Sequence, residues 1–363
     1  MKVCYSPYNK KAMDQNKYIY QITKAIEDAG FEVVSMREAF KNPKIFKAVK
    51  IFNLNWYENI YDNNTISAYI HFIKKVLLIY ILKLCGKKIV WTMHNKIPHD
   101  NENKKLCVNL MRILIKKSNL IITHCEDTTA EIYKLTQKSL RIDRKIINIK
   151  HPNYIDVYDD NQIDYREKYN IDKDEIVFLF LGQIKPYKNI ELIIKLAEKF
   201  NEYKVKFIIG GKCNSNEYKE DLIEKISSEN LIPIFRFINN EEMTSLIRAS
   251  DVMILPYDIE SSLNSGTAIL AFSYGKTIIS PKIGTLNEIG SYENIFSYMY
   301  NNEEEHFEEL TRIINEIVSN KNEKEELAHK GEALLEIMKS QYDLKNISKK
   351  YYECFNSIIN NGV

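Results

Sequence analysis

Short apolar runs alternate with amphipathic helical patterns along this chain, and that rhythm limits the fold more than any other feature. The run FLFL at residues 178–181 ends at a glycine, and a helical pattern follows it with Ile190, Ile193 and Ile194 on one face. Strands that are apolar at every position are buried on both faces, as in parallel sheets covered by helices on both sides. The sequence therefore predicts an α/β fold made of doubly wound, Rossmann-like sheets.

The rhythm occurs twice, which indicates two domains. The predicted strands are residues 2–5, 31–35, 51–56, 87–95 and 119–126 in the first half, and 175–182, 204–211, 233–238, 251–257 and 276–281 in the second. The polar segment DVYDDNQIDYREKYNIDKDE separates the halves, so we predict a linker near residues 152–174. The predicted domains are residues 1–160 and 170–340. Residues 341–363 are expected to form a helix that packs back towards the first domain.

The composition is that of a soluble globular enzyme, with 45% hydrophobic and 28% charged residues among 363. The six cysteines are scattered without a CxxC pair, and the N-terminus MKVCYSPYNKK lacks the apolar core of a signal peptide. Both features favour a reduced, cytoplasmic location.

Positive charge is concentrated in the first half of the chain. Residues 1–150 hold 27 Lys and Arg against 13 Asp and Glu, a balance of +14, and the remaining residues hold 24 against 36, a balance of −12. A basic first domain indicates an acidic partner, for which nucleic acid, anionic lipid headgroups and a phosphorylated acceptor are candidates. A second interpretation, that the Lys-rich composition of the whole chain produces the excess, stays open.

Two lysines stand where the first strand of the second half turns into a helix. Lys185 and Lys188 lie in QIKPYKN, next to a helix N-terminus whose free N–H groups attract anions. A second helix begins at Ser265-Gly266 in ESSLNSGTAILAFSYGK, where a glycine lets a ligand approach the backbone closely. Two such helix starts at one sheet edge indicate a diphosphate site. The alternative is that both lysines are solvated and pair with Glu191 or Glu217.

The order of motifs along the chain resembles that of group 1 glycosyltransferases. The donor-binding half of that family is similar to FLGQIKPYKNIELI, ASDVMILPY, NSGTAILAFSYGKTIISP and GTLNEI. The acceptor half and hinge of its bacterial polysaccharide and glycolipid members are similar to WTMHNKIPH and HPNYIDVY. The resemblance implies the GT-B fold, in which two Rossmann-like domains face a central cleft. It also implies sugar transfer from a nucleoside diphosphate donor to a saccharide or lipid-linked saccharide in surface polysaccharide synthesis.

The resemblance implies roles for individual residues. Lys188 and the backbone amides at Ser265-Gly266-Thr267 match positions that hold the donor diphosphate, and His94 matches a histidine beside the sugar. We therefore expect His94 and Lys188 to be catalytic. The expected donor-binding residues are Gly182, Lys185, Lys188, Gly211, Ile238, Asn264, Ser265, Gly266 and Thr267, and the expected acceptor-binding residues are Tyr8, Trp56 and Asn95.

The chain departs from the family pattern at the sugar site. The arginine usual near the strand-end glycine is replaced by Gln183. The usual pair of glutamates falls on Ser262 and Leu270, or on Glu260 and Ala268 in another register. These losses leave open a second function, a non-catalytic partner subunit of the same fold with a decayed donor site. The retained lysines and the helix start favour the enzyme.

The expected reaction is a metal-independent hexosyl transfer from a UDP- or GDP-sugar, with retention of configuration implied by the resemblance. Lysines and a helix start stabilise the charge on the leaving diphosphate, so we expect neither a metal nor another cofactor. The D-x-D sequence from Asp172 to Asp174 precedes a strand and is interpreted as a turn. No nucleic acid partner is expected.

Several aromatic residues near the predicted site have a structural interpretation. We interpret His124 and His151 as structural, and His99 as structural or as a residue that closes a loop. For Trp56, stacking on an acceptor sugar and packing in the core are both compatible with the sequence.

The predicted helix at residues 68–84 allows two interpretations. Its sequence is interrupted by lysines in FIKKVLLIYILKLCGKK, so we expect it not to span a bilayer. It is either a buried helix whose lysines reach solvent or, together with RILIKK, a helix that rests on an anionic membrane. In the second case the protein is peripheral on the inner face of the cell membrane. The expected lipid contacts are then Lys74, Lys75, Lys87 and Lys88.

Overall fold

A parallel six-stranded sheet lies at the centre of each of two units of the chain. The structure is a computed structural model, and it describes residues 1–60, 64–96, 103–136 and 143–360. Unit one comprises residues 1–152 and 342–363, and unit two comprises residues 153–341.

Unit one alternates strands with helices. Its strands are β1 (Lys2–Ser6), β2 (Glu32–Ser35), β3 (Val49–Asn55), β4 (Lys88–Thr92), β5 (Leu120–Thr123) and β6 (Ile146–Asn148). Its helices up to this point are α1 (Lys10–Gln15), α2 (Lys17–Asp28), α3 (Met36–Lys41), α4 (Pro43–Ala48), α5 (Thr65–Leu84), α6 (Lys104–Lys117) and α7 (Glu126–Thr136). The strand order is β2-β1-β3-β4-β5-β6, and neighbouring strands are parallel.

Both faces of this sheet are buried, as the apolar runs predict. Alternate residues of a strand point to opposite faces. Phe52 and Trp91 lie in a core cluster that α5 and α6 complete from one side. Ile51 and Val90 lie in the cluster that α2 completes from the other side. Polar side chains of the strands can therefore reach a ligand only at the ends of the strands.

Unit two repeats the pattern. Its strands are β7 (Ile176–Leu181), β8 (Val205–Gly210), β9 (Leu231–Ile234), β10 (Val252–Ile254), β11 (Thr277–Pro281) and β12 (Phe296–Tyr298). Its helices are α8 (Tyr165–Lys168), α9 (Ile190–Lys199), α10 (Asn216–Glu224), α11 (Asn240–Ala249), α12 (Gly266–Ser273), α13 (Gly284–Ile289), α14 (Glu303–Ser319) and α15 (Glu323–Gln341). The strand order is β12-β11-β10-β7-β8-β9, again parallel throughout.

The last helix, α16 (Leu344–Asn360), belongs to unit one. It packs against α2 and places Phe355 and Tyr351 in the same core cluster as Ile51 and Val90. The ring of Phe355 meets Phe31 edge-on, with centroids 5.4 Å apart. The C-terminal helix therefore covers the sheet face opposite to α5 and α6.

The boundary between the units lies earlier than the sequence predicts. Unit one ends at Pro152 rather than at residue 160, and the segment predicted as a linker folds with unit two. Arg166 in α8 donates through Nε to the carbonyl of Ala249 at 2.9 Å and forms an ion pair with Asp251 at 2.5 Å. The polar side chains of this segment bind it to unit two, whereas its composition had predicted a solvent-exposed linker.

Two short strands and one strand position also differ from the prediction. The three-residue strands β6 and β12 were not predicted, and both lie at sheet edges, where a short run carries little periodicity. The strand predicted at 233–238 is observed at Leu231–Ile234. The interpretation of Asp172 to Asp174 as a turn is confirmed, since residues 173 and 174 form a turn before β7.

Candidate functional site

The expected donor residues of unit two lie at the carboxyl edge of its sheet, where the winding of the chain reverses. From β7 the chain builds β8 and β9 on one side, and then β10, β11 and β12 on the other. The connections therefore diverge between β7 and β10. Ligands of doubly wound sheets bind at such a switch point, outside the carboxyl ends of the strands.

Two glycines let the backbone pack closely beside the end of β7. Gly182 has φ +145°, a conformation that L side chains rarely adopt, and its missing Cβ would lie 3.6 Å from Thr267 Oγ1. A Cβ on Gly211 would lie 1.8 Å from the carbonyl oxygen of Gly182, so only glycine fits there. The backbone after β7 thus runs close to β8 on one side and to the start of α12 on the other. Ile238 packs under the end of β8, 3.6 Å from the position of a Cβ on Gly210.

Lys188 is held on an aromatic face at the switch point. Residues 186–188 form one turn of 3-10 helix, and α9 begins two residues later. The Lys188 Nζ lies 3.5 Å from the centroid of the Tyr257 ring, in the loop after β10. The turn is tied to that loop, because Asp258 N donates to the Tyr187 carbonyl at 3.0 Å and Asn189 Nδ2 donates to the Pro256 carbonyl at 2.9 Å.

Lys188 forms no ion pair with any residue that the structure describes. The alternative in which it pairs with Glu191 or Glu217 is therefore wrong for this lysine. A cation on a ring face keeps its full positive charge, whereas a carboxylate partner would neutralise it. The expected second cation, Lys185, is half-buried in the same turn, with its Nζ 5.9 Å from the Tyr187 ring centroid.

The first turn of α12 lies next to the same tyrosine. Ser265 caps the helix by accepting a hydrogen bond from Ala268 N at 3.1 Å, and its hydroxyl donates to Tyr257 Oη at 3.3 Å. The N–H of Ser265 is already bonded to Thr285 Oγ1 at 2.8 Å. The amides left for a ligand are therefore those of Gly266 and Thr267, which have no preceding helical carbonyl to bond. Asn264 is half-buried just before this turn.

The glutamate positions of the family carry no carboxylate on α12. In one register the second glutamate falls on Leu270 and in the other on Ala268, and both side chains are buried in the core of unit two. Ser262 is half-buried in the loop before the helix. This part of the site therefore lacks the two carboxylates that the family pattern would place here.

A groove on the outer side of the Lys188 turn is acidic. It is lined by Pro186, Tyr187, Asn189, Glu191, Leu192, Asp258, Ile259, Glu260, Tyr300, Asn301, Asn302, Glu303 and His306. Four carboxylates in this lining disfavour the binding of a diphosphate in this groove. Tyr300 holds the loop that carries Tyr257 in place, because its hydroxyl donates to the Tyr257 carbonyl at 3.2 Å and accepts from Ile259 N at 2.9 Å.

Tyr257 and Thr285 were not among the predicted site residues. Both follow strand ends of the same sheet edge, β10 and β11, and this position is the only signal in the sequence that could have found them. Their roles depend on contacts across the edge that no local pattern encodes. Tyr257 joins the cation to the helix cap, and Thr285 orients the cap residue.

In unit one, His94 lies in a polar and aromatic pocket at the end of β4. Asn55, the last residue of β3, donates through Nδ2 to the Ser6 carbonyl at 3.3 Å, which turns its Oδ1 towards His94 Nε2 at 3.0 Å. Because Oδ1 only accepts, Nε2 of His94 carries the proton and Nδ1 carries the lone pair. Trp56 stacks on the imidazole at 4.1 Å between centroids. Of the two interpretations of Trp56, packing against His94 is therefore observed.

Two further histidines complete the pocket around Tyr18. His124 Nδ1 donates to the Ile149 carbonyl at 2.7 Å, so its Nε2 accepts from the Tyr18 hydroxyl at 2.9 Å. His151 Nδ1 donates to the Pro152 carbonyl at 2.7 Å. The Tyr18 ring contacts all three imidazoles. His124 and His151 hold main chain, which agrees with their structural interpretation.

Burial keeps all three imidazoles neutral. Desolvation, with smaller contributions from His124 and His151, lowers the pKa of His94 well below its usual value. Desolvation also lowers the pKa of His124 to about 4 and that of His151 to about 3. At neutral pH His94 is therefore uncharged.

The other expected acceptor residues lie near this pocket in the chain. Tyr8 follows β1 and packs partly against the core cluster of α2, and this burial raises the pKa of its hydroxyl. Asn95 is half-buried directly after His94. His99 lies outside the described residues, so its two interpretations stay open. Among the residues that the structure describes, no group of three or more His, Cys, Asp or Glu is arranged to hold a metal ion.

Solved structures with the same fold extend over nearly the whole chain. The Anabaena protein Alr3699/HepE, solved in complex with UDP and glucose, superposes with a TM-score of 0.73 at 14% identity, over 98% of this chain and 100% of that one. Sucrose-phosphate synthase from Thermosynechococcus elongatus superposes with a TM-score of 0.74 at 12% identity, over 99% of each chain. The chain has the GT-B fold.

Sequence comparisons match part of the chain to one family. Residues 161–334, most of unit two, match the family described as glycosyl transferases group 1. The chain is 22% identical to the GDP-mannose:glycolipid 4-beta-D-mannosyltransferase of Xanthomonas campestris, over 75% of this chain and 71% of that protein. It is 26% identical to the uncharacterized glycosyltransferase MJ1607 of Methanocaldococcus jannaschii, over 37% of this chain and about a third (34%) of that protein. The family match is confined to residues 161–334, and together with these relatives it supports a group 1 glycosyltransferase.

The neutral histidines predict how stability depends on pH. Unfolded histidines take up protons below about pH 6.5, whereas folded His124 and His151 resist protonation until about pH 4 and 3. The unfolded state then binds more protons, so the free energy of unfolding should fall as pH drops below 6.5. The slope should be about 1.4 kcal/mol per pH unit for each such histidine. Urea unfolding between pH 7.5 and 5 measures it.

A matched pair of variants isolates the effect. His124→Gln should flatten the pH dependence, because the replacement cannot be protonated. His71→Gln removes an exposed histidine of the same unit and should leave the slope unchanged. Equal slopes in wild type and His124→Gln would contradict the assignment of a neutral, buried imidazole.

Proposed function

We propose that this protein transfers a hexosyl group from a UDP- or GDP-sugar to a saccharide or lipid-linked saccharide in the synthesis of a surface polysaccharide. The observation that carries the proposal is the position of Lys188, on the face of Tyr257 and beside the first turn of α12. An unpaired cation and two free amides at one point suit the diphosphate of a nucleotide sugar. The Xanthomonas relative, named for GDP-mannose and a glycolipid, supports the donor and acceptor classes.

The leaving group of such a transfer is a nucleoside diphosphate, on which negative charge grows in the transition state. Lys188 and the amides of Gly266 and Thr267 would stabilise that charge without rearranging, because Tyr257 and the Ser265 cap already fix them. Gly211 lets the backbone after β7 pack closely, and Gly182 places no side chain between that backbone and Thr267. In unit one, His94 is the residue that would lie beside the sugar or act as a base toward the acceptor hydroxyl.

The alternative function is a non-catalytic partner subunit of the same fold. The missing glutamates favour it, since Leu270 and Ala268 offer no hydrogen bond to a sugar or ribose. The fixed position of Lys188 favours the enzyme, because a decayed site has no need to keep a cation unpaired. We also propose that the protein is cytoplasmic and works on the inner face of the cell membrane.

Replacing Lys188 tests the proposal directly. Lys188→Ala should reduce kcat/KM for sugar transfer or donor hydrolysis by roughly 10²-fold or more, as for other preorganised charge contacts. Thermal shift with a panel of UDP- and GDP-sugars identifies the donor, and the initial rate with that donor measures the loss. Lys195→Ala is the matched control, because it removes an exposed lysine of α9 whose surface ion pair with Glu303 contributes little.

A second variant separates the ring from the hydroxyl at Tyr257. Tyr257→Phe keeps the aromatic face under Lys188 and should retain more activity than Tyr257→Leu, which removes that face. Wild-type rates in Lys188→Ala would rule out its role at the diphosphate. If the wild-type protein neither binds nor cleaves any donor of the panel, the partner-subunit alternative replaces the enzyme.

Transfer should not depend on a divalent metal. Lys188 and the α12 amides supply the positive potential that a metal supplies elsewhere, so initial rates should be the same with EDTA as with added Mg²⁺ or Mn²⁺. Loss of activity on chelation, restored by either metal, would show that a cation binds the diphosphate together with Lys188.

The product should keep the anomeric configuration of the donor, as the resemblance to the family implies. NMR of the purified product gives the anomeric configuration of the new glycosidic bond. A product with the opposite configuration to the donor would contradict retention. The name of the Xanthomonas relative specifies a β-linkage. The configuration of the product therefore also shows whether this protein forms the same type of linkage.

A further inference from the structure

The outward face of α5 exposes an unusual number of large apolar side chains. They are Ile66, Tyr69, Ile70, Ile73, Leu77, Tyr80, Ile81 and Leu84, and we call them the α5 stripe. At 100° per residue they fall within an arc of about 120° and extend over roughly 27 Å of helix. Single exposed apolar residues are ordinary on a protein surface, but a continuous stripe of this length marks an interaction surface.

The opposite face of α5 is fixed in the core of unit one. Ala68, Ile79 and Leu82 are fully buried in the cluster with α6 and the sheet. Lys75 Nζ donates to the carbonyls of Tyr57 and Asn59 at 2.8 and 2.6 Å, and the Tyr57 hydroxyl donates to the Lys75 carbonyl at 3.1 Å. The helix is therefore attached along its length, and the α5 stripe faces away from the core.

Positive charge surrounds the stripe. Residues 64–96 and 103–125 contain no Asp or Glu. The neighbouring helix α6 exposes Lys105, Arg112 and Lys116 on one face, and Lys117 Nζ lies 4.6 Å from the centroid of the Tyr80 ring in the stripe. Burial and the charges of Lys145, Lys88 and Lys117 lower the pKa of Lys83 at the end of α5. An apolar stripe with a basic margin is the pattern of helices that lie in the interface of an anionic membrane.

We propose that the α5 stripe binds the surface of a bilayer that contains anionic lipid, with α5 parallel to the membrane plane and the basic residues of α6 against the headgroups. The inference stands without the proposed function. If that function also holds, docking brings unit one to the surface at which a lipid-linked acceptor is found.

The charges favour lipid over the two other occupants of such a stripe. A second copy of the chain would join the stripe to itself and bring the basic margins of both copies together, which is unfavourable. A transmembrane position fits the composition, since α5 is long and apolar enough to cross a membrane, with a mean hydropathy of 1.5. The expectation that its lysines alone exclude a span is therefore wrong. The buried inner face opposes a span, because spanning would remove Ile79 and Leu82 from the core.

The structure also corrects the lysines expected to contact lipid. Lys75 and Lys87 point inward, the latter donating to the carbonyls of Phe46 and Val49 at 2.5 and 2.7 Å. Replacing either would disturb the fold of unit one. Informative substitutions are therefore those of the exposed residues in the stripe and on α6.

Vesicle co-sedimentation tests the proposal. Wild-type protein should bind phosphatidylcholine vesicles with 30% phosphatidylglycerol in low salt and bind pure phosphatidylcholine much more weakly. The triple variant Ile73→Ser, Leu77→Ser, Ile81→Ser should lower the partition coefficient at least about tenfold, because apolar insertion is lost. Lys105→Glu, Arg112→Glu, Lys116→Glu should lower it as strongly at low salt and less at high salt, where exposed charges are screened within about 8 Å or less.

Matched controls separate the stripe from general effects. Tyr203→Ser, Ile223→Ser, Phe237→Ser removes three apolar residues of unit two that are also about half exposed, and it should bind like wild type. Lys345→Glu, Lys349→Glu, Lys350→Glu changes the net charge equally on α16, on the other side of the sheet, and should retain most of the binding. Unchanged melting temperatures establish that each variant is folded, and donor-induced thermal shifts report on unit two independently of lipid.

Each other outcome overturns the proposal in a distinct way. No binding of wild type to anionic vesicles would leave the stripe without a lipid partner. A concentration-dependent dimer that Leu77→Ser dissociates would assign the stripe to a second copy. Wild-type protein that resists carbonate extraction from membranes would indicate a span. Equal losses in the α6 and α16 charge variants would reduce the effect to net charge.

Discussion

Burial of both faces of each sheet is the constraint on which the rest of the structure depends. Strands such as β7 are apolar at every position, so helices must cover them on both sides, and polar chemistry is confined to the ends of the strands. The carboxyl edges therefore hold nearly all the residues with a proposed role. Asn55 and His94 lie there in unit one, and Gly182 and Tyr257 lie there in unit two. The switch point between β7 and β10 then determines which part of the edge is open to a ligand.

The side chains at the carboxyl edges of the two units differ in charge. In unit two the positive charge of Lys188 has no carboxylate to balance it, because its nearest partner is the Tyr257 ring. In unit one three imidazoles are kept neutral, because burial opposes protonation and each ring is fixed by a defined acceptor or donor. A permanent cation suits a leaving diphosphate, and a neutral base suits an incoming hydroxyl. The physical environments thus correspond to the two halves of the proposed transfer.

Sequence reasoning found the parts of the fold and site that local patterns encode. The apolar run of β7, the lysine before α9 and the Ser265 cap of α12 each follow from a few adjacent residues. Tyr257 and Thr285 were missed because their roles arise only where separate strand ends meet. The edge strands β6 and β12 were missed because three residues carry too little periodicity. The boundary at residue 152 was missed because ion pairs such as Arg166–Asp251 are invisible in composition.

Helix α5 shows why hydropathy alone could not settle its role. Its inner face is apolar because it packs in the core, and its outer face is apolar although its side chains are exposed in the part of the chain that the structure describes. Because both faces are apolar, the helix has the composition of a membrane span. Its sequence therefore lacks the periodic pattern of a helix that is apolar on one face only. Only the structure separates the faces, since burial identifies Ile79 and Leu82 as core and leaves Ile73 and Leu77 outside. An outer face that the fold does not need must owe its residues to something beyond the fold, and the basic residues beside it indicate a surface of negative charge.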